Sequence, residues 1–145
     1  MSRMGQRFSV RDFLEAYRAA FRDFDVPAIA DLFSYPCQLT SDSGQIVVTP
    51  VATREAWVPE LERLVDAYRG IGVRSAEIIE LAPTELTQRL AQAAVRWVLV
   101  GTDGSPLYEF DGVYTLADLG QGMRITAIAH NETSRLRALL ECHRS

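Results

Sequence analysis

Arg96, Asp111 and His130 stand on three successive segments of extended type, and strict alternation along those segments puts them on one face of a sheet. A carboxylate, an imidazole and a guanidinium on a common face are the groups that proton transfer or the binding of a polar ligand requires. His130 is the best acid/base candidate by type, because an imidazole titrates near neutral pH. The same face carries Ala94, Val98, Val113, Thr126 and Ile128. An isolated charge buried among them would be costly, so two readings stand. Either Arg96 and Asp111 pair as a structural bridge, or they line a cavity and meet a ligand. A guanidinium beside Asp111 favours its ionised form and weakens it as a proton donor.

Other chemistries find little in the sequence. All fifteen basic residues are arginine, which excludes a Schiff-base or phosphate-loop lysine. The two histidines, His130 and His143, are 13 positions apart, and no HxxxH or CxxC motif suggests a metal. His143 reads as solvated. No Gly-x-Ser-x-Gly elbow or glycine-rich phosphate loop occurs, and Gly120-Gln121-Gly122 reads as a hairpin turn. The net charge is -4 without a basic stripe, which argues against nucleic acid. There is no run of roughly 20 apolar residues that would span a membrane, and the start MSRMGQR is polar rather than a signal core. The expectation is a cytoplasmic protein with Cys37 and Cys142 reduced. The triplet Asn131-Glu132-Thr133 is then meaningless as a glycosylation signal.

The elements that must position these residues follow from periodicity and caps. Ser9 opens a helix whose Val10, Phe13, Leu14, Tyr17, Phe21 and Phe24 recur at three- and four-residue spacing. Asp25 caps a short second helix with Pro27 in its first turn. Cys37 to Thr49 reads as two short strands around Asp42-Ser43-Gly44. Thr53 caps a third helix, with Trp57, Leu61, Leu64, Val65 and Tyr68 on its apolar stripe and Gly70 and Gly72 at its end. Four strands follow, over Val73–Leu81, Arg89–Val100, Tyr108–Ala117 and Met123–Asn131, and a last helix runs from Ser134 to about His143. The last two strands form a long hairpin around the turn Asp118 to Gly122. Without a linker or repeat, the pattern is one α+β domain over residues 1–145.

The face opposite Arg96 holds Val95, Trp97, Leu99, Tyr108, Phe110, Tyr114, Ile125, Ala127 and Ala129 by the same alternation. Both faces are too apolar to meet water freely. Helices cover one, and a second copy of the chain is the expected cover of the other.

The element order, the segment FLEAYRAAFRDFDVPAIADLF and the hairpin motifs FDGVYTL and GMRITAIAHNE resemble the nuclear transport factor 2-like superfamily, from about Phe13 to Glu132. That superfamily includes ketosteroid isomerases and SnoaL-like polyketide cyclases. The resemblance implies a curved antiparallel sheet wrapped around N-terminal helices to form a conical pocket, with a homodimer through the outer sheet face. Beside the ketosteroid isomerase pattern, Tyr17 matches the oxyanion-hole tyrosine and Asp111 the neutral aspartic acid that shares the hole. The family's general base, an aspartate on the first strand, matches Thr40 or Ser41, with Asp42 one residue beyond in the turn. A hydroxyl is not basic enough for that role unaided.

The sequence therefore predicts a cofactor-free, metal-free pocket for a small apolar organic molecule, lined by Tyr17, Trp57, Arg96, Val98, Asp111, Thr126, Ile128 and His130. As an enzyme it would transfer a proton or cyclise next to a carbonyl, with His130 or Asp111 as the acid/base group and Tyr17 as the oxyanion donor. For Tyr17 and Trp57 the more common role of such residues is that of core aromatics. The missing strand-one base favours the competing reading, a non-catalytic binding or scaffold module that recruits a partner through the sheet.

Overall fold

The computed structural model describes residues 9–144, without the side chains of His143 and Arg144. The polar opening MSRMGQR and the side chain of His143 lie outside the described residues. Helix α1 (Val10–Arg22) starts where the Ser9 hydroxyl accepts from the Asp12 N–H at 3.1 Å, and it buries Val10, Phe13, Leu14 and Ala20. It ends at Arg22, and the chain turns at Phe24, whose φ of 53° lies in the left-handed region. Asp25 then caps α2 (Val26–Ala30) by accepting from the Ala28 N–H at 3.2 Å. Thr53 does the same for α3 (Arg54–Gly70) through the Ala56 N–H at 3.1 Å, and α3 buries Leu61, Val65 and Tyr68. Among the described residues no helix is long and apolar enough to cross a membrane.

Six strands form one curved, unclosed sheet. These are β1 (Phe33–Asp42), β2 (Ile46–Val51), β3 (Val73–Thr87), β4 (Leu90–Gly101), β5 (Pro106–Asp118) and β6 (Met123–His130), in the order β2-β1-β6-β5-β4-β3. Every pairing is antiparallel except that of β1 with β6, which is parallel. Strand β1 begins at Phe33, four residues before the expected Cys37, and runs through the cis Tyr35–Pro36 bond. Strand β3 continues past Pro83, which sits opposite Ala93. Proline is tolerated there because β3 is an edge strand and need not donate on its outer side. A last helix, α4 (Thr133–Arg144), packs Leu136, Leu139 and Leu140 against the core.

The register of β5 and β6 fixes which residues face inward. Thr115 pairs with Ala127 while the adjacent Leu116 pairs with Ile125, so Thr126 is an extra, unpaired residue. This is a β-bulge, and it reverses the alternation beyond it. Met123 and Ile125 point into the core before the bulge, and Ile128 does so after it. Strict alternation had put Ile125, Ala127 and Ala129 on one face and Ile128 and His130 on the other. The bulge instead joins Ile128 and His130 to Trp97, Leu99, Phe110 and Tyr114.

Candidate functional site

The concave face of the sheet and the helices α1, α3 and α4 enclose a cavity of about 250 Å³. Aromatic rings make much of its wall, because α1 and the sheet each present them at the spacing of their own period. Tyr17 sits at the centre of this cluster, with ring centroids 5.1 Å from Phe21, 5.7 Å from Tyr114 and 6.4 Å from Trp97. Trp57 enters from α3 and packs edge-on against Phe33 at 5.5 Å. Among the described residues its buried Nε1–H has no hydrogen-bond partner, an unspent donor beside the cavity. Arg18 and the exposed Arg22 stand at the rim, turned toward Glu15 and Asp23 respectively.

Two polar arrangements interrupt the apolar wall. In the first, the Tyr114 hydroxyl accepts from the Trp97 Nε1–H at 2.8 Å, and the Tyr114 ring packs edge-on against Tyr17 at 5.7 Å. Burial pushes both phenols well above their ordinary pKa, so both keep their protons and act as donors.

The second centres on Glu132, which is only 8% exposed. Its Oε2 accepts from the Tyr68 hydroxyl at 2.5 Å and from the Tyr108 hydroxyl at 2.7 Å. Glu132 lines the cavity, and among the described residues no hydrogen bond reaches its Oε1. Burial raises the carboxyl pKa, and the two tyrosine hydroxyls pull in the other direction without cancelling it. The backbone holds Glu132 from both sides. Its carbonyl accepts from the N–H groups of Arg135 and Leu136 at the start of α4, and its N–H donates to His130 Nδ1 at 3.1 Å. That bond leaves Nε2–H as the donor of His130, whose ring lines the cavity. Burial lowers the pKa of the ring and keeps it neutral.

A family model described as NTF2-like protein (DUF6841) matches residues 6–133. The chain belongs to this NTF2-like family. Solved structures agree at the level of the fold. An NTF2-like protein of unknown function from Pseudomonas putida KT2440 superposes with a TM-score of 0.68 at 14% identity, over 88% of this chain and 87% of that one. An NTF2-like protein with a cystatin-like fold from Novosphingobium aromaticivorans gives 0.67 at 16% identity, over 90% and 86%. The yeast UBP3-associated protein BRE5 gives 0.63 at 19% identity, over 86% and 96%. No curated protein matches the sequence.

Within this NTF2-like fold the residues singled out in the sequence divide into two groups. Tyr17, Trp57, Ile128 and His130 line the cavity. Arg96, Val98, Asp111 and Thr126 do not, and their expected place in the pocket is corrected here. Strands β4 and β5 turn Trp97, Leu99, Phe110 and Tyr114 inward, which forces their alternate residues onto the convex face. There Arg96 Nη1 donates to both Asp111 oxygens at 2.9 and 3.0 Å, and Nε donates to Glu109 at 2.9 Å. Arg96 and Asp111 border a shallow outer concavity of about 290 Å³, remote from the Tyr17 hydroxyl by the thickness of the sheet. Thr126 is spent on the bulge, its hydroxyl donating to the Thr115 carbonyl at 3.4 Å. On β1 it is Phe33 and Leu39 that line the cavity, and neither Thr40 nor Ser41 does. Asp42 accepts from the Gly44 N–H in its turn at 3.0 Å.

Glu132 is the residue that sequence reasoning passed over. Among the described residues it is the only carboxylate that lines the cavity. The available signal was its place two residues after His130, at the junction of β6 and α4. Its tyrosine partners come from 64 and 24 positions away and leave no local trace.

Proposed function

We propose that this protein binds a small, largely apolar organic molecule in the cavity and acts on it without a cofactor, by proton transfer next to a carbonyl. The observation that carries the reading is the apolar cavity of about 250 Å³ with Glu132, His130 and Tyr114 converging on it. Ligand sites are typically concave, mostly apolar and furnished with a few placed polar groups. The volume falls below the roughly 300–1,000 Å³ usual for drug-sized ligands, which favours one or two fused rings or a short acyl chain. The test is a thermal-shift series with naphthalene-sized bicyclic compounds, monoterpenoids, short acyl acids and steroids. A ligand that binds the native state raises the melting temperature with concentration. No shift from any of these classes would remove the reading.

The convex face supports a second role. Val113 is 42% exposed there beside exposed Ala94 and Ala129, and β2 exposes Ile46, Val47 and Val48. A homodimer covering this face, or recruitment of a partner through it, is the competing proposal, in line with the description of the yeast relative as UBP3-associated. Light scattering at tens of micromolar tests the dimer, and a monomer at that concentration ends it.

A further inference from the structure

We propose that His130 and Glu132 are a proton-transfer pair for a small enolisable carbonyl compound, Glu132 taking the proton from the carbon beside the carbonyl while His130 Nε2–H donates to the carbonyl oxygen. This rests on the reading of the cavity as a ligand site and assigns its chemistry to named atoms. Glu132 lines the cavity with one oxygen pinned by Tyr68 and Tyr108 and, among the described residues, no hydrogen bond on the other, so the carboxyl group is held before a ligand arrives. The surrounding wall is apolar, and a carboxylate stripped of water is a stronger base than one in solution. The groups facing it are Tyr68 from α3, Tyr108 and Tyr114 from β5, Tyr17 from α1 and His130 from β6. Among the described residues no ion pair joins it to Arg18 or Arg22, whose partners are Glu15 and Asp23.

His130 suits the second role because its Nδ1 is committed to the Glu132 N–H. The ring is held as a neutral donor, and a neutral imidazole can polarise a carbonyl beside a carboxylate base. The Tyr114 hydroxyl, already accepting from Trp97, is a supporting donor on the same wall.

The step balances without an added reagent. The C–H bond breaks, its electron pair becomes the C=C bond of the enolate, and the carbonyl π pair moves onto the oxygen that His130 contacts. The proton passes to Glu132 Oε1. Its return to the same carbon gives exchange, and its return to a conjugated carbon two positions away gives isomerisation; either regenerates the carboxylate.

The test uses 2-tetralone, a two-ring ketone with acidic C–H bonds, and follows deuterium incorporation from D₂O by proton NMR. Naphthalene, which has the same shape and no such bond, reports on binding alone through the thermal shift. The native protein is expected to exchange 2-tetralone faster than buffer, with a rate that rises as Glu132 ionises and then levels. Glu132→Gln is expected to lose about a hundredfold or more of that rate while 2-tetralone still raises its melting temperature. His130→Phe is expected to lose about a hundredfold with the pH profile retained. Exchange no faster than buffer in the native protein overturns the proposal, a result independent of how either variant folds. Full activity in Glu132→Gln overturns it as well. In both cases a naphthalene shift would leave the binding reading standing. If neither compound shifts the native protein, the proposal fails together with the binding of ligands of this size.

Discussion

The N–H of Glu132 donates to Nδ1 of His130 at 3.1 Å, and this contact couples the protonation of one residue to the backbone of the other. A backbone N–H can only donate, so Nδ1 must stay unprotonated for the bond to exist. An imidazolium at this position would break it and loosen the junction between β6 and α4.

Stability should therefore depend on pH through two groups with opposite signs. Burial depresses the His130 pKa below 6.5, so the unfolded chain binds the proton first as pH falls. The stability His130 contributes is fully present above 6.5 and is lost as pH falls through its folded value. Glu132 is raised above 4.5, so its contribution is fully present below 4.5 and is lost as pH rises through its folded value. Relative to the native protein, Glu132→Gln should gain in melting temperature as pH rises from 4.5, and His130→Phe should gain as pH falls from 6.5. Calorimetry between about pH 4 and 8 checks both. Parallel curves for native and variant proteins would show that neither group is shifted.

Tyr68→Phe and Tyr108→Phe each remove one donor from Glu132 Oε2. Both bonds hold the carboxyl pKa down against desolvation, so each loss should raise it further. Each should destabilise the fold by about 1–3 kcal/mol, because the other partner is buried. The double substitution should cost more than the sum of the singles, since it leaves the carboxyl with no donor on Oε2. The carboxyl carbon shift of Glu132, followed by NMR against pH, reads the first effect. Denaturant unfolding reads the second.

What could be read from the sequence was local. Ser9, Asp25 and Thr53 cap the helices they were expected to cap, because a cap depends on neighbours three residues away. Alternation correctly grouped Arg96, Val98, Asp111 and Val113 on one face of β4 and β5, and Trp97, Leu99, Phe110 and Tyr114 on the other. It could not show which face is concave, since that depends on the curvature of the sheet and the side on which α1 and α3 pack. It also failed beyond Thr126, where one unpaired residue exchanges the two faces of β6. His130 thus lines the cavity with Trp97 and Tyr114 rather than standing beside Arg96. The NTF2-like resemblance survives this shift because it rests on element order and the helix and hairpin segments. The matching of Asp111 to an oxyanion-hole acid does not survive, because Asp111 faces away from Tyr17.

Arg96→Met should leave ligand-induced thermal shifts unchanged, because Arg96 lies on the convex side of the sheet. Its two ion pairs are solvated and gain little over water. The melting temperature should stay within the scatter of repeat measurements and respond weakly to salt. A variant that lost its response to every ligand would place the functional surface on the convex face and redirect attention to the Arg96 concavity.

Gly112 in the FDG motif explains how Tyr114 reaches Trp97. The two residues point the same way from β5, and a Cβ at Gly112 would lie 3.1 Å from Tyr114 Cε1 and 3.2 Å from its hydroxyl oxygen. The ring has no easy retreat, being held by the Trp97 hydrogen bond at 2.8 Å and packed against Tyr17 at 5.7 Å. Gly112→Ala should therefore destabilise the protein by about 1–3 kcal/mol through overpacking. It should also displace the Tyr114 hydroxyl, which the Trp97 indole N–H chemical shift reports directly. Val113→Ala, one position along and turned outward, is the control, with an expected effect within about 0.5 kcal/mol. An undisturbed indole signal in Gly112→Ala would mean that the ring has room to move aside. The absence of a side chain at 112 would then concern His130, its partner across β6, rather than Tyr114.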